Sequence, residues 1–139
     1  MQYVVDTSVV VAAFRSSRGA SFALMTAIGR GEIGILVTTA VMLEYEAVLK
    51  RPEQRVVHGQ SVDEIDDALR NLASFAGCVE TYYRIRPALR DPTDEMFLEA
   101  AINGHADAIV TFNIRDFRSA IELGVRAIKP AEALSWSRR

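Results

Sequence analysis

The feature that most constrains the fold is an alternation of short apolar runs with longer segments of helical periodicity. Apolar runs fall at residues 3–5, 34–38, 79–83, 108–111 and 125–128. Between them lie helical patterns at 21–30, 39–50, 61–75 and 92–103, and a short one opens at 130–134. A further helix begins after Asp6, with Thr7 or Ser8 as its cap. Strands that alternate with helices in this way form parallel βαβ units. The expected architecture is α/β: a three-layer α/β/α sandwich around a mainly parallel central sheet of about five strands.

Local chemistry supports these boundaries. Ser61-Val62-Asp63-Glu64 is a capping-box pattern and opens a helix. Pro52 stops the helix before it, and residues 51–60 are polar enough to read as a loop or loose helical turn. Gly31, Gly77 and Gly104 close their segments. The 139 residues contain no linker or repeat, so 1–139 reads as one domain. The net charge of −2 provides no global basic field, so any nucleic-acid contact must come from a local patch. No apolar stretch is long enough to cross a membrane, and the N-terminus lacks a basic leader. With a single cysteine, Cys78, read as a small core residue, the expected setting is the reducing cytoplasm. His58 and His105 have no partner spacing and read as surface residues.

In an open parallel sheet, ligands bind beyond the carboxyl ends of the strands. Asp6 follows the first apolar run directly, and Asn113 and Asp116 follow the fourth. On the 39–50 helix, Glu44 shares a face with Ala40, Ala47 and Val48, whereas Glu46 faces Lys50. Asp91-Pro92-Thr93-Asp94 opens another helix, with Asp91 at N-cap, Pro92 at N1 and Asp94 at N3. Asp94 lies on the face of Phe97, Leu98 and Ala101 and points inward. Asp91 serves either as the cap or as a ligand. Asp6, Glu44, Asp94 and Asp116 thus converge on one sheet edge in this reading. Crowded carboxylates repel unless a counter-charge gathers them, and a hard cation such as Mg²⁺ or Mn²⁺ takes oxygen ligands of this kind. There is no Cys/His cluster for zinc.

Four stretches carry a family resemblance: VVDTSVVVAAF at 4–14 with Tyr3 before it, LEYEAVLKRP at 43–52, DPTDEMFLEAAINGHADAIVTFN at 91–113 and IRDF at 114–117. In this order and spacing, the chain resembles the PIN-domain proteins that serve as toxins of bacterial toxin–antitoxin pairs (VapC-like). The resemblance implies a ribonuclease dependent on Mg²⁺ or Mn²⁺, with Asp6, Glu44, Asp94 and Asp116 as its acids. Asp6, Asp94 and Asp116 would be the metal ligands, and Glu44 either a ligand or the group that orients a bound water. Many relatives carry an aspartate where this chain has Asn113, and the fourth acid is placed at Asp116. Ser8, Asp91, Thr111, Asn113 and Arg115 are the auxiliary candidates. Arg15, Arg18, Arg51, Arg55, Arg115 and Arg118 would form a rim for RNA phosphates. A cognate antitoxin and a homodimer follow from the same resemblance.

Two other readings compete. A PIN module of weak activity would bind RNA or a protein without cutting. A receiver domain would use Asp6, Thr111 and Lys129-Pro130, but it would need a second acid after Asp6 and an aspartate ending its third strand.

Overall fold

A computed structural model describes residues 1–82 and 92–137. Its sheet has five strands: β1 (Gln2–Val5), β2 (Gly34–Val37), β3 (Gly77–Cys78), β4 (Ala108–Val110) and β5 (Ala127–Ile128). All the pairings are parallel, and the order is β3-β2-β1-β4-β5. Tyr3, Val4 and Val5 are all fully buried, as are Ala108, Ile109 and Val110. Successive strand residues face opposite sides, so both faces of the sheet are covered. The expected three-layer α/β sandwich is what forms. The strand order also removes the receiver reading, because that fold runs 2-1-3-4-5.

The helices are α1 (Thr7–Arg15), α2 (Ala20–Gly29), α3 (Thr39–Leu49), α4 (Pro52–His58), α5 (Val62–Phe75), α6 (Glu95–Gly104) and α7 (Pro130–Ser137). A 3₁₀ turn at Pro92–Asp94 leads into α6, and 3₁₀ turns span Ile114–Leu123. Thr38 caps α3 by accepting from the Val41 amide at 3.2 Å. The capping box opens α5: the Glu64 amide donates to Ser61 Oγ at 3.1 Å, and the Ser61 amide donates to Glu64 Oε1 at 3.0 Å. Lys50 bridges Glu46 at 3.6 Å, as its spacing predicts, and also Asp66 on α5 at 2.6 Å.

Several expectations need correction. Of the loop or loose helical turn expected at 51–60, residues 52–58 form a regular helix: Pro52 takes its first turn, and Gly59 ends it at φ 71°. His58 is not a free surface residue. Its Nε2 lies 3.0 Å from the Leu49 carbonyl, its Nδ1 accepts the Gln60 amide at 3.0 Å, and its ring meets Phe14 edge-on. The third strand begins two residues earlier than expected, at Gly77, and its ladder ends with the Val79 amide on the Val37 carbonyl at 2.8 Å. Residue 83, the last of the expected strand, lies outside the described residues. Cys78 is exposed because β3 is an edge strand, not a core one. At the end of α6 the left-handed residue is His105, at φ 53°, one position past Gly104. Gly104 is needed for a different reason: a Cβ there would come within 2.8 Å of Val79 Cγ2.

The capping box generates two expectations. Ser61→Ala should lower stability by about 1 kcal/mol in urea titrations, with an unchanged m-value. The Ser61 backbone amide, seconded by the Ser61 hydroxyl, holds the Glu64 carboxyl below its usual range. The folded state therefore binds fewer protons than the unfolded state, and the box stabilises above the unfolded value near 4.5. That stabilisation fades as pH falls through the lower folded value. Acid titrations of wild type and Glu64→Gln should converge across this window.

Candidate active site

The strand order changes direction at β1: the chain moves outward to β2 and β3, then returns to place β4 on the other side of β1. The crevice between the carboxyl ends of β1 and β4 is the switch point where such sheets bind ligands. Asp6 ends β1, and Thr111 ends β4. They meet across the crevice: Thr111 Oγ1 donates to Asp6 Oδ2 at 2.7 Å. Ser8 Oγ donates to the same oxygen at 2.8 Å.

Each hydroxyl is itself held by the turn after β4. The Asn113 amide donates to Thr111 Oγ1 at 2.9 Å, and the Phe112 amide donates to Ser8 Oγ at 3.3 Å. One buried carboxylate thus organises the start of α1 and the 111–113 turn together. Asp6 is only 5% exposed, so these donors are what make its charge tolerable there. Both land on Oδ2, and no described residue gives Oδ1 a hydrogen bond. Asp6 occupies the N-cap position of α1 with extended backbone, but its side chain does not cap. Neither Thr7 nor Ser8 is the cap, since both lie inside the helix.

Glu44 corrects the sequence reading. The buried stripe of α3 is Val41, Tyr45, Val48 and Leu49, while Ala40 and Ala47 are exposed. Glu44 is half-buried at the margin of this stripe, not on it. Tyr45 takes the central position, with its hydroxyl donating to the Val5 carbonyl. Burial, reinforced by the charge of Asp6, pushes its phenol above the ordinary value, so it stays a donor.

Asp94 stands at the junction of the 3₁₀ turn and α6, and Phe97, Leu98 and Ala101 on its face are buried, as expected. Asp91 lies outside the described residues. Asp116 is exposed, and with Arg115, Arg118 and Ser119 it lines a cleft of about 420 Å³. Asn113 is exposed as well, and its amide, not its side chain, joins the Asp6 network. Of the rim arginines, all six are exposed. Arg15 is anchored, with Nη2 and Nε donating to Gln54 Oε1 on α4 at 2.8 and 3.2 Å.

The structure therefore brings Asp6, Ser8 and Thr111 together with the 112–113 backbone. It does not gather the four acids into a ready ligand shell. Among the described residues, no three Asp, Glu, His or Cys side chains lie close enough to hold a metal ion. Sequence reasoning also missed two buried acids on α6, Glu95 at 1% and Glu99 at 5% exposure. Both are engaged with neighbours. Their i, i+4 spacing was the available signal, but they were hidden in a helix buried around much of its girth.

Replacing Thr111 by valine keeps the shape and removes one donor from Asp6. It also strips the Asn113 amide of its acceptor. Thr111→Val should cost about 1–3 kcal/mol in urea unfolding, more than an ordinary surface substitution.

The PIN domain family model matches residues 2–115. Solved structures of low sequence identity share the fold. VapBC2 from Rickettsia felis, bound to a DNA fragment from its promoter, aligns with a TM-score of 0.64 at 13% identity, covering 93% of this chain and 98% of that one. VapBC-1 from nontypeable Haemophilus influenzae aligns at 0.63 and 12%, covering 94% and 99%. FitAcB from Neisseria gonorrhoeae aligns at 0.55 and 17%, covering 93% and 98%. No curated protein matches the chain by sequence.

Proposed function

The chain belongs to the PIN-domain family, and on that premise we propose that it is a divalent-metal-dependent ribonuclease, the toxin of a toxin–antitoxin pair, acting in the cytoplasm as a single domain over residues 1–139. The observation that carries this reading is the Asp6 carboxylate, buried at the β1–β4 switch point with one oxygen held by two hydroxyls and the other given no hydrogen bond by the described residues. An all-oxygen donor set without thiolate or imidazole suits a hard cation. Mg²⁺ is commonly bound through one or two carboxylates, with water and substrate phosphate completing its shell, so a sparse protein contribution fits it. Asp6, Asp94 and Asp116 would hold the ion, and Glu44 would join them or orient a water. A bound Mg²⁺ or Mn²⁺ would supply an activated water at neutral pH and offset charge developing on the scissile phosphate.

The chain's own residues do the rest. Ser8 and Thr111 hold the Asp6 carboxylate in place through Oδ2. Arg115 and Arg118 flank Asp116 and offer cations to the RNA backbone, extended by Arg15, Arg18, Arg51 and Arg55. These arginines provide the local patch that the net charge of −2 lacks. The fold shared with VapBC and FitAcB, toxin–antitoxin complexes, supports a cognate antitoxin as partner and silencer. A homodimer accords with the same reading. Among the described residues, no helix is long and apolar enough to cross a membrane.

A second reading is a PIN module that binds RNA or a protein without cutting. It is favoured by the lack, among the described residues, of three Asp, Glu, His or Cys side chains close enough to hold a metal ion. One experiment separates the two: a pool of end-labelled RNAs incubated with Mn²⁺, comparing wild type, Asp94→Asn and an EDTA control. The nuclease reading expects metal-dependent cuts that disappear in the variant. Cleavage retained by Asp94→Asn overturns the site assignment. In parallel, Mn²⁺ at about 100 times its Kd should stabilise wild type by about 2–3 kcal/mol in thermal unfolding, and Asp6→Asn should lose that gain.

A further inference from the structure

One buried ring joins the three elements that carry Asp6, Glu44 and Asp94. Tyr45 is fully buried and follows Glu44 directly on α3. Its ring lies 6.4 Å from that of Phe97, tilted by 32°. Phe97 is one turn past Asp94 on the same side of α6. The Tyr45 hydroxyl donates to the carbonyl of Val5, the residue before Asp6.

The topology explains why that carbonyl needs a side-chain donor. Within one trans peptide group the C=O and the N–H point to opposite sides. The Asp6 amide bonds Val110 on the β4 side at 2.8 Å, so the Val5 carbonyl faces β2. The registered β1–β2 pairs stop at Tyr3↔Ile35, two residues short of it, and the chain of β2 turns at Thr38 into α3. A buried carbonyl left there without a donor would be costly. Tyr45 supplies the missing donor from the helix that replaces the strand. Packing alone would need only the ring, so the hydroxyl is the informative atom.

We propose that Tyr45 is a positioning residue: its bond to Val5 sets where the Asp6 carboxylate stands relative to Glu44 and Asp94, and thereby sets the affinity of the site for a divalent cation. This rests on the metal-dependent nuclease reading. Tyr3 provides a matched control. It is fully buried on the same strand, and its hydroxyl also donates to a backbone carbonyl, that of Ala133 on α7, at 2.8 Å. Tyr45→Phe and Tyr3→Phe each delete one buried phenol–carbonyl bond and keep the ring.

The test compares wild type and both full-length variants by Mn²⁺ titration calorimetry, RNA cleavage kinetics and amide hydrogen exchange of the metal-free protein. Both variants should lose similar stability in urea. Only Tyr45→Phe should bind Mn²⁺ about tenfold more weakly, a loss typical of residues that orient a ligand. It should also lower kcat with KM unchanged and speed exchange at the Asp6 amide. Equal Mn²⁺ affinity in the two variants overturns the proposal. If wild type binds no Mn²⁺, the nuclease reading fails instead, and exchange at Asp6 decides: faster in Tyr45→Phe alone upholds positioning, and equal rates in both variants overturn it.

Discussion

The interaction on which the rest of the site depends is the pair of hydroxyl bonds to Asp6 Oδ2. A carboxylate that is 5% exposed is unfavourable unless it is hydrogen-bonded, and its position at the end of a central strand cannot be adjusted by surface relaxation. Thr111 and Ser8 meet that need from both sides of the crevice. Because each hydroxyl also accepts an amide from the 112–113 turn, the carboxylate draws β4, its loop and α1 into one network. Such networks gain by mutual polarisation when every member is satisfied.

The α3 helix completes the frame from the other side. It leaves β2 at the point where the β1–β2 ladder runs out, and Tyr45 joins it to the Val5 carbonyl. With Phe97 against that ring, α6 is referenced to the same point. The three acid-bearing elements are therefore tied to one another by a phenol–backbone hydrogen bond and an aromatic contact.

Much of this was legible before any coordinates. The strand positions of β1, β2 and β4, the Ser61–Glu64 box, the Glu46–Lys50 pair and the burial of Phe97, Leu98 and Ala101 on α6 all follow from local patterns. These are short-range effects, set by periodicity and capping within one element. The failures share a different origin. The face of α3 was misjudged by one position because Ala40 and Ala47 are apolar yet exposed, and only packing shows that Tyr45 faces the core. Cys78 reads as core by its chemistry, but the strand order puts it on an edge. His58 has no partner in its own helical spacing, and its partners come from the Leu49 carbonyl, the Gln60 amide and the Phe14 ring.

The amino-acid order by itself determined the α/β alternation, the layer count and the placement of Asp6 and Thr111 at strand ends, because hydrophobic periodicity and turn chemistry act over a few residues. Only the tertiary structure decided that Asp6 and Thr111, 105 residues apart, share a hydrogen bond. It also decided that Tyr45 and not Glu44 faces the core, and that Glu95 and Glu99 are buried. The strand order β3-β2-β1-β4-β5 sets these contacts, since it decides which strand ends become neighbours. A hydrogen bond between distant segments depends on that order and leaves no period in the chain.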